Sequence, residues 1–471
     1  WFWANSNPNL ACINVDDTTY SNTNWTNIDP QSYFSNNCNA INGCTDSLAC
    51  NYDPQATVED GSCLYGNCIE NITQNKFYSI VQTAIDSSIQ GDTLIAYQGT
   101  YVENIDFNGK DITLASNFLL DNDTANISST IIDGNGNGQP VVQFQNGESN
   151  DAKLIGLTIQ NGFTVSAEEG AGIDIRYSAE PTLDHLIIQN NNSQSGRGGG
   201  IAFYYAGTSY LSNLTIRNNI CNDLGGGIYV FASTVDISNC KFYGNICGGG
   251  SAIHTMSGSG SVLGIRNCEI YDNVGYSVVN GDLDFVNCTF IDNVYTISGQ
   301  ENSRLEFHGL SSLTNTIVGT GHNIDINGIL DVSYSLIEDS ISSITYQYSQ
   351  SLVWGSGNLE ATPQFIDTAN NNFRLSNYSQ CIGAGLDTST VPITDLDGNL
   401  RPNPVGSNPD MGAYENSLAI PSSNLLTYVP DDNFENYLEA NGMGDGITLN
   451  DSVLTSNINT VHNLYLDSLS I

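Results

Sequence analysis

Residues 183–219 read LDHLIIQNNNSQSGRGGGIAFYYAGTSYLSNLTIRNN and contain one full unit of a repeat. The unit opens near LIIQN, closes on LTIRN and carries GGI in its middle. Outward from here the first pattern recurs with spacings of 29, 28, 26, 28 and 20 residues, centred on Ile159, Ile188, Ile216, Phe242, Ile270 and Phe290. The second recurs with spacings of 28, 27 and 25 residues, at Ile173, Ile201, Ile228 and Ile253. Two registers that share one period indicate a stacked repeat architecture.

Each unit contains short stretches of alternating apolar and polar residues bounded by Gly and Asn, which predicts short strands with one buried face. This pattern, without long helical periodicity, favours a β-solenoid over a sandwich. The sequence therefore predicts an all-β fold, a right-handed parallel β-helix. Asparagines that follow the strands are expected at corners with left-handed backbone angles, where their side chains would also hydrogen-bond between coils: Asn190, Asn218, Asn245, Asn273 and Asn293.

The charge balance narrows the choice of partners. The 471 residues include 50 acidic and 11 basic side chains, a net charge of −39. Nucleic acid, anionic membranes and polyanionic polysaccharides are unsuitable partners, because binding them needs clustered Lys and Arg. Calcium, neutral glycans and other surface proteins suit this surface better. No run of 18 apolar residues occurs, so we expect a chain that does not span a membrane.

The cysteines fall into two groups. Six lie in the first 68 residues, in a loop-rich stretch with little to bury, which predicts disulfides formed in an oxidising compartment: Cys12, Cys38, Cys44, Cys50, Cys63 and Cys68. Cys240, Cys268 and Cys288 share one position in successive coils, and we expect an interior ladder of thiols. Cys221 and Cys247 share another position, and a disulfide between their coils is geometrically possible, because stacked strands lie about 4.8 Å apart.

An amphipathic helix is expected over about residues 77–90, as a cap on the open end of the solenoid. Its apolar positions fall on one face: Phe77, Ile80, Val81, Ala84, Ile85 and Ile89. Residues 79–116, SIVQTAIDSSIQGDTLIAYQGTYVENIDFNGKDITLAS, resemble the opening of the pectin-lyase-like β-helix superfamily. Residues 379–415, with TDLDGNLRPNPVGSNPDMGAYE, resemble the closing coil of large bacterial surface β-helix proteins. These resemblances imply a β-helix over residues 76–418, and they imply nothing about activity, because enzymes and binding proteins share the fold.

Residues 43–63, GCTDSLACNYDPQATVEDGSC, resemble a cysteine-bearing, calcium-type module of secreted Bacteroidetes-type proteins, distantly similar to thrombospondin type 3 repeats. We place this module at residues 41–70. The resemblance implies calcium ligands with hard oxygens at Asp46, Asn51, Asp53 and Asp60, and turn-forming Asx residues clipped by disulfides are the alternative. In this region we expect the pairs Cys44–Cys63, Cys50–Cys68 and Cys12–Cys38. No organic cofactor is expected.

Both ends of the chain resemble parts of leucine-rich repeat domains of the same bacterial group. Residues 1–40, with NPNLACINVDD, resemble a C-terminal cap of such a domain. Residues 424–471, with VPDDNFENYLEANGMGDG and NLYLDSLSI, resemble the N-terminal cap and first repeat of another. The resemblance implies a segment of a longer modular chain, located outside the cell or on its surface, that assembles with copies of itself or with a secretion or surface complex.

Motifs for known catalysis on this fold are missing from the sequence. Hydrolases of polygalacturonate on this fold carry Gly-His-Gly and Arg-Ile-Lys, and Gly321-His322-Asn323 is the nearest approach here. The five histidines share no motif (His185, His254, His308, His322, His462). We therefore expect a non-catalytic segment that acts in adhesion or as an extracellular scaffold. The alternatives are a polysaccharide-active lyase- or hydrolase-like enzyme and a subunit of an extracellular filament.

One face of the solenoid is a candidate binding surface. If the isoleucines of the second register point inward, their neighbours one and three positions later point outward. This places Arg176, Tyr204, Tyr229, Phe231 and His254 on successive coils, where they would stack sugar rings or pack against a partner. Stacking for stability alone is the alternative.

Asp-(Ser/Thr) motifs suggest a modification. An Asp-Ser or Asp-Thr followed by an apolar residue or Thr resembles the motif at which Bacteroidetes-type bacteria attach O-glycans. The resemblance to proteins of this group also implies export by type IX secretion. The best matches are Thr18, Ser47, Thr124, Ser340, Thr368, Ser452 and Ser468, and Thr93 is a weaker one inside a strand. A glycan needs room, so loop positions are favoured. Asp-Ser/Thr is also common in turns.

Overall fold

The structure is a computed structural model. It describes residues 2–7, 9–38, 41–166, 169–256, 260–294, 303–339, 341–346, 350–422, 426–429, 431–444, 446–449 and 451–458. The chain forms two compact units. One contains Trp1–Cys68 with Phe77–Ser79, and the other contains Ile69–Lys76 with Ile80–Ile471. Each unit is described by itself.

The large unit is a parallel β-helix whose coils stack in register, because each short strand pairs with the equivalent strand of the next coil. One sheet has ten parallel strands: Gly99–Val102, Thr130–Asp133, Thr158–Gln160, Ile187–Gln189, Thr215–Arg217, Lys241–Tyr243, Glu269–Tyr271, Thr289–Ile291, Ile317–Val318 and Leu336–Ile337. A three-stranded corner sheet contains Phe163–Thr164, Asn192–Ser193 and Ile220–Cys221. The all-β, right-handed parallel β-helix predicted from the repeat is confirmed.

A longer sheet, called the long sheet below, receives two strands from most coils. Its strands are Ile69–Asn71, Thr93–Ala96, Ile105–Asp106, Thr113–Ser116, Val142–Phe144, Lys153–Ile155, Ile173–Arg176, Thr182–Asp184, Ile201–Tyr204, Thr208–Ser212, Ile228–Phe231, Thr234–Ser238, Ile253–Thr255, Val262–Arg266, Ser277–Gly281, Asp284–Val286, Ser303–Thr314, His322–Ser333, Ile344–Tyr346 and Ser351–Trp354. Strands Ser303–Thr314 and His322–Ser333 pair along all 12 residues, so this part of the face is continuous.

Both sequence registers are Cα partners in the structure. Ile188 pairs with Ile159 on one side and Ile216 on the other, and Ile201 lies between Ile173 and Ile228. These side chains are fully buried, together with the rest of the two registers. Alternation thus assigns one face of every strand to the core, and it fixes which residues face outward.

The asparagines at the corner form two separate columns, and the single predicted column is wrong. Asn190 and Asn218 are exposed and have left-handed φ angles of 56° and 54°. The hydrogen-bonded column lies one residue later in those coils, and it contains Asn191, Asn219, Asn245, Asn273 and Asn293. In the later coils Gly244, Asp272 and Asp292 take the left-handed position instead. The prediction combined the two columns because the asparagine of LTIRN lies two residues after the core residue Ile216, whereas the asparagine of KFYGN lies three residues after its partner Phe242.

The amino-terminal end of the helix is closed by two elements. The helix covers Val81–Ser87, shorter than predicted, and it buries Val81, Ala84 and Ile85 completely. Ile80 is its extended N-cap residue and is half exposed, and Ile89 lies beyond its end and is exposed. Strand Ile69–Asn71 pairs antiparallel with the edge strand Thr93–Ala96. This pairing satisfies an edge that would otherwise be open.

Residues 379–415 lie along the side of the β-helix, so the predicted closing coil is wrong. Side-chain amides of Asn267, Asn287 and Asn315 donate to backbone oxygens of Thr394, Asp410 and Leu386, respectively. Arg401 is fully buried and pairs with Glu415, at 3.1 Å between Nη1 and Oε1. The segment is therefore anchored by polar contacts to successive coils.

The remaining elements of the large unit are short. Its helices are Phe118–Asp121, Ala125–Ser129, Asp432–Ala440 and Thr455–Ile458, with 3₁₀ turns at Ile341–Ser343 and Thr368–Asn370. Antiparallel pairs join Phe365–Asp367 to Asn372–Leu375 and Leu426–Tyr428 to Ser452–Leu454. Strand Lys76–Tyr78 crosses the boundary between the units.

The small unit is held by disulfides. It contains helix Thr18–Asn24 and the parallel pairs Trp3–Ala4 with Asn27–Ile28, Cys12–Asn14 with Tyr33–Ser35, and Asn42–Gly43 with Val58–Glu59. Its three disulfides join the same partners that were expected: Cys12–Cys38, Cys44–Cys63 and Cys50–Cys68. The leucine-rich repeat assignments of both chain ends stay predictions.

Six cysteines are free thiols, and all of them are buried. Cys240, Cys268 and Cys288 are completely inaccessible, and each thiol contacts the backbone oxygen two residues before it (Ser238, Arg266 and Val286). Thr316 and Ser335, in the next coils, make the same contact with their hydroxyls. These thiols therefore take the place of small hydroxyl residues in the interior.

Candidate active site

The outward residues of the long sheet form two columns along the helix axis. The first column follows Asp174 and contains Ala202, Tyr229, His254, Asn280, Glu306, Asp325 and Thr345 as successive Cα partners. The second column begins with Arg176, Tyr204 and Phe231, and His308 and Asn327 belong to it in later coils. The five predicted residues of the face thus lie in these two columns, and their role in binding stays a prediction.

Much of this predicted face is covered. Arg176, Tyr229 and His254 are only 7, 1 and 6% exposed. The cause is the glycine-rich corner that precedes each strand. A Cβ added at Gly225 would lie 2.8 Å from the Tyr229 Cβ, and one at Gly250 would lie 2.7 Å from the His254 Cβ. Glycine therefore lets the backbone pass directly over the first column, so residues that point outward from the sheet are still covered there.

Two aromatic side chains of the predicted face remain partly open. The rings of Tyr204 and Phe231 are stacked, with 5.1 Å between their centroids and 18° between their planes. Tyr205 lies edge-on to both rings and is 52% exposed. The arrangement provides an aromatic patch on the surface, which suits contact with a sugar ring.

Further along, His254 Nδ1, Asp282 Oδ1 and His308 Nε2 are among the buried polar atoms of the described residues that have no hydrogen-bond partner. Burial lowers the pKa of His254 to about 4, and His308 contributes to that shift. Burial also lowers the pKa of His308, and Asp282 partly opposes this. Asp282 and His308 directly follow the Cα partners Gly281 and Phe307, so they are neighbours on adjacent strands. Both imidazoles are neutral at pH 7. Buried polar atoms without partners are uncommon, and a ligand would satisfy them.

Two carboxylates lie beside these histidines. Glu306 and Asp325 are Cα partners on adjacent strands. Arg304 pairs with Asp325 at 2.5 Å between Nη1 and Oδ2, and Thr345 donates to the other carboxylate oxygen. Burial raises the pKa of Glu306, and the nearby Asp325 charge adds to the shift. We call His254, Asp282, Glu306, His308 and Asp325 the histidine–carboxylate cluster.

The cluster has the groups needed for acid–base chemistry. Glu306 and His308 alternate with buried Leu305 and Phe307 on one strand, so they project from the same face. Two residues along a strand span about 6.7 Å. The raised pKa keeps Glu306 protonated to higher pH, and the lowered pKa keeps His308 neutral to lower pH. One group is thus suited to give a proton and the other to accept one.

A second concave region on the long sheet is less suited to chemistry. Its cavity of about 350 Å³ is lined by strands of four coils and by Thr390. Arg266 pairs with Asp236 at 2.6 Å, and the Ser312 hydroxyl donates to Asp284 at 2.9 Å. Among the described side chains that line it, none carries a buried polar atom without a partner. Its charged groups are therefore already bonded to neighbouring side chains.

The predicted calcium ligands do not converge on one point. Asp46 accepts from the Leu48 N–H and the Tyr65 hydroxyl, and Asp53 and Asp60 each accept from a backbone N–H two residues later. Asn51 bridges Leu64 and Ser62. These contacts match the alternative of Asx turns. Calcium at these residues stays a prediction.

Two groups in the described part of the chain hold three ligand-type atoms within 4.8 Å of one another. Cys44, Glu59 and Cys63 form the first, and its sulphur atoms are joined in a disulfide, so they are not free to bind a metal. Asp432, Glu435 and Asp451 form the second, in the carboxy-terminal region. No metal is assigned to either group.

The Asp-Ser/Thr motifs differ in accessibility. Ser47, Thr124 and Thr368 are exposed, and Thr18 and Thr93 are half-buried. Ser452 is 9% exposed and lies in strand Ser452–Leu454, where a glycan would have no room. Ser340 and Ser468 lie outside the described residues. Glycosylation stays a prediction, and Ser452 is no longer a suitable position for it.

Sequence reasoning missed most of the histidine–carboxylate cluster. Only His254 was among the predicted site residues. The signal is present in residues 303–308, SRLEFH, where Arg304, Glu306 and His308 alternate with core residues. The spacing of the repeat does not reveal that these groups meet His254 and Asp325, because the coils between 280 and 344 vary in length.

The sequence matches the family described as the right handed beta helix region, over residues 116–290 and 212–336. The family match agrees with the right-handed parallel β-helix of the large unit. A solved structure titled "Crystal structure of pectate lyase Pel9A" is similar at 15% identity and a TM-score of 0.34, covering 71% of this chain and 90% of that one. Likeness at this level carries over neither residues nor substrate. None of the curated proteins compared with the chain matches it significantly.

The prediction that this β-helix is not an enzyme is wrong. It rested on missing motifs, whereas the β-helix family that the sequence matches includes polysaccharide-degrading enzymes. None of the helices in the described residues is both long and apolar enough to cross a bilayer. The three disulfides are compatible with an extracellular location.

Proposed function

We propose that this β-helix cleaves glycosidic bonds in a polysaccharide at the histidine–carboxylate cluster. The observation that carries the proposal is the pairing of Glu306 and His308 on one face, with pKa values shifted in the directions that suit an acid and a base. The unpartnered atoms of His254, Asp282 and His308 support it, because they offer hydrogen-bonding positions for sugar hydroxyls and, at His308, for the attacking water.

Glu306 would act as the proton donor. Its carboxylic acid gives a proton to the glycosidic oxygen as the bond from that oxygen to the anomeric carbon breaks. His308 Nε2 takes a proton from a water molecule, whose oxygen bonds to the same carbon. The backbone positions of acid and base are about 6.7 Å apart along the strand. Such a spacing would leave room for that water, as the separated carboxylates of inverting glycosidases do.

Asp325 would position and tune the acid. Both of its oxygens are engaged, by Arg304 and Thr345, so it is not free as a second base. Its charge contributes to the raised pKa of Glu306. Asn280 Nδ2 donates to Glu306 Oε2 and orients the carboxyl group.

A neutral or weakly charged polysaccharide suits the site best. The chain carries a net charge of −39, and Arg304, the cation nearest the cluster, is already paired with Asp325. The Tyr204–Phe231 stack lies on the same face, three coils from Glu306, or about 14 Å away. A polymer that follows the face would stack its sugar rings there.

A substrate screen tests the proposal. We would incubate the protein with β-glucan, galactan, chitin and polygalacturonate, and measure new reducing ends together with absorbance from unsaturated sugars. We expect reducing ends from a neutral polymer without that absorbance. Glu306→Gln should lower the rate by about 10²–10⁴-fold, because the proton donor is lost.

Glu338→Gln is the matched control. Burial raises the pKa of Glu338 as well, but Glu338 follows strand Leu336–Ile337 of the ten-stranded sheet and accepts from the Thr320 N–H. Glu338→Gln should therefore cleave the polymer at the same rate as the wild type. Full activity of Glu306→Gln, or no cleavage of any polymer by the wild type, would reject the proposal.

An extracellular location is part of the proposal, supported by the disulfides of the small unit. Adhesion, a scaffold role, filament assembly, O-glycosylation and type IX export stay predictions, and no observation on the described residues favours one of them.

A further inference from the structure

Cys221 and Cys247 form an isolated pair at one corner of the β-helix. Ile220 and Ile246 are bridge partners on adjacent coils, so the cysteines that follow them are in register. The Cys221 N–H donates to the Ile246 oxygen at 2.9 Å, and each thiol donates to a backbone oxygen of the preceding coil, Cys221 to Gly196 at 3.4 Å and Cys247 to Asp223 at 3.3 Å. Register partners on adjacent parallel strands lie about 4.8 Å apart, within the Cα range that a disulfide spans.

The column that holds this pair isolates it from other thiols. In the preceding coils the same position carries Thr164 and Ser193, whose hydroxyls lie 3.3 Å apart. In the following coil it carries Gly275, because Ile246 pairs with Val274. Cys221 and Cys247 therefore have each other as their only thiol neighbours within the column.

The pair also lies at the surface of the corner, although both side chains are buried. Ile220 and Ile246, which precede the two cysteines, are 37 and 44% exposed. Asn222 and Gly248, which follow them, are exposed as well. A small opening of this corner would admit an oxidant. The Cys240, Cys268 and Cys288 ladder has no such access, since its members are completely inaccessible.

We propose that Cys221 and Cys247 are oxidised to a fourth disulfide, which fastens two adjacent coils of the β-helix. The oxidant would be a disulfide of the glutathione type. One cysteine thiolate attacks a sulphur of that disulfide and releases one reduced thiol. The second thiolate then attacks the mixed disulfide, forms the Cys221–Cys247 bond and releases the other. Two thiol hydrogens and two electrons leave the protein and reduce one oxidant molecule to two thiols.

The proposal is independent of the proposed function, because the pair lies at the corner sheet and not in the histidine–carboxylate cluster. It also agrees with the disulfides of the small unit, which require that the chain meets an oxidising environment.

Thiol mapping of the full chain tests it. The protein is incubated with oxidised glutathione, alkylated in guanidinium chloride without reductant, and digested with trypsin and with a protease that cuts before Asp. Asp223 and Asp236 lie between Cys221 and Cys240, so the digest separates them. We expect a linked peptide pair containing Cys221 and Cys247, and alkylated Cys240, Cys268, Cys288 and Cys381. Alkylation of both Cys221 and Cys247 would overturn the proposal.

Variants give a second readout. Cys221→Ser places at this position the residue that Ser193 already supplies one coil earlier, so it should fold. Oxidation should raise the Tm of the wild type by roughly 5 °C, and this rise should vanish in Cys221→Ser and persist in Cys268→Ser. The same rise in Cys221→Ser as in the wild type would contradict the proposal. The peptide map of the wild type decides the question even if a variant fails to fold.

Discussion

Two regions of the β-helix bury polar side chains but differ in how those side chains are hydrogen-bonded. One is the face with the histidine–carboxylate cluster, and the other is the corner lined by the asparagine column: Asn191, Asn219, Asn245, Asn273 and Asn293. Each asparagine Nδ2 of the corner donates to the next Oδ1 at 2.9–3.0 Å, and also to a backbone oxygen of an earlier coil. The last one, Asn293, contacts His322 Nε2 at 3.1 Å. In the histidine–carboxylate cluster, by contrast, His254 Nδ1, Asp282 Oδ1 and His308 Nε2 are buried without a partner.

This difference indicates that the corner serves the stability of the β-helix, whereas the face serves its function. A fully bonded polar column stabilises the coils, because every buried group has its partner. Unbonded buried groups cost free energy, and such sites persist where a ligand uses them. The corner should therefore respond to mutation through stability, and the face should respond through activity.

The largest expected effect is on the face. His308→Gln removes the proposed base, and we expect kcat on the cleaved polysaccharide to fall by about 10²–10⁴-fold. The Tm should stay close to that of the wild type, because the lost nitrogen has no protein partner. His185→Gln is the control, since His185 pairs with Asp184 on another part of the helix. A fall in Tm that accounts for the lost activity would remove the distinction between face and corner.

The next largest effect is at the corner. Asn245→Ala deprives Asn219 of an acceptor and Asn273 of a donor, and it should lower the free energy of unfolding by about 2–5 kcal/mol. Asn218→Ala, at the exposed left-handed position next to the column, should cost only about 1 kcal/mol. Denaturant unfolding of the two variants measures both values. Equal losses would show that the column contributes nothing beyond the backbone turn.

A smaller effect distinguishes two buried histidines. His322 contacts Asn293 and the Gly319 oxygen, so His322→Leu should lose about 1–3 kcal/mol of stability. His254 Nδ1 has no partner, so His254→Leu should be neutral or slightly stabilising. Thermal unfolding of both variants checks this. Destabilisation by His254→Leu as large as that by His322→Leu would mean that His254 is bonded in solution.

The smallest effect is on the pH profile. Activity requires protonated Glu306 and neutral His308. The raised pKa of Glu306 shifts the alkaline limb to higher pH, and the lowered pKa of His308 shifts the acidic limb to lower pH. We expect an optimum on the acidic side of neutrality and a loss of about tenfold per pH unit beyond each limb.

Asp325→Asn sharpens this prediction. It removes the negative charge that helps to raise the pKa of Glu306, so the alkaline limb should move to lower pH while the acidic limb stays in place. A profile that does not change in this variant would contradict the role of Asp325.

The repeat made the fold predictable, because core positions at a constant spacing identify stacked strands without any knowledge of their contacts. Helix ends and corners were harder. Ile80 and Ile89 fit the apolar face of a helix, but the chain is already extended at Ile80 and beyond Ser88. The two asparagine columns differ by one residue, and only coil-to-coil hydrogen bonds tell them apart.

The candidate site was less predictable than the fold. Glu306 and Asp325 belong to coils of unequal length, so no period connects them with His254. Burial of Tyr229 and His254 depends on glycine corners that fold over them, which is a tertiary effect. The lateral position of residues 379–415 likewise depends on contacts with Asn267, Asn287 and Asn315, far away in sequence.

The central claim is that the unpartnered atoms of the face are positions for a sugar. A crystal structure of Glu306→Gln, grown with a mixture of gluco-, galacto- and galacturono-hexasaccharides, tests it most directly. We predict sugar hydroxyls within hydrogen-bond distance of His254 Nδ1 and Asp282 Oδ1, and a water molecule between His308 Nε2 and the anomeric carbon. A structure in which protein groups bond these three atoms and the oligosaccharides lie elsewhere would contradict the account.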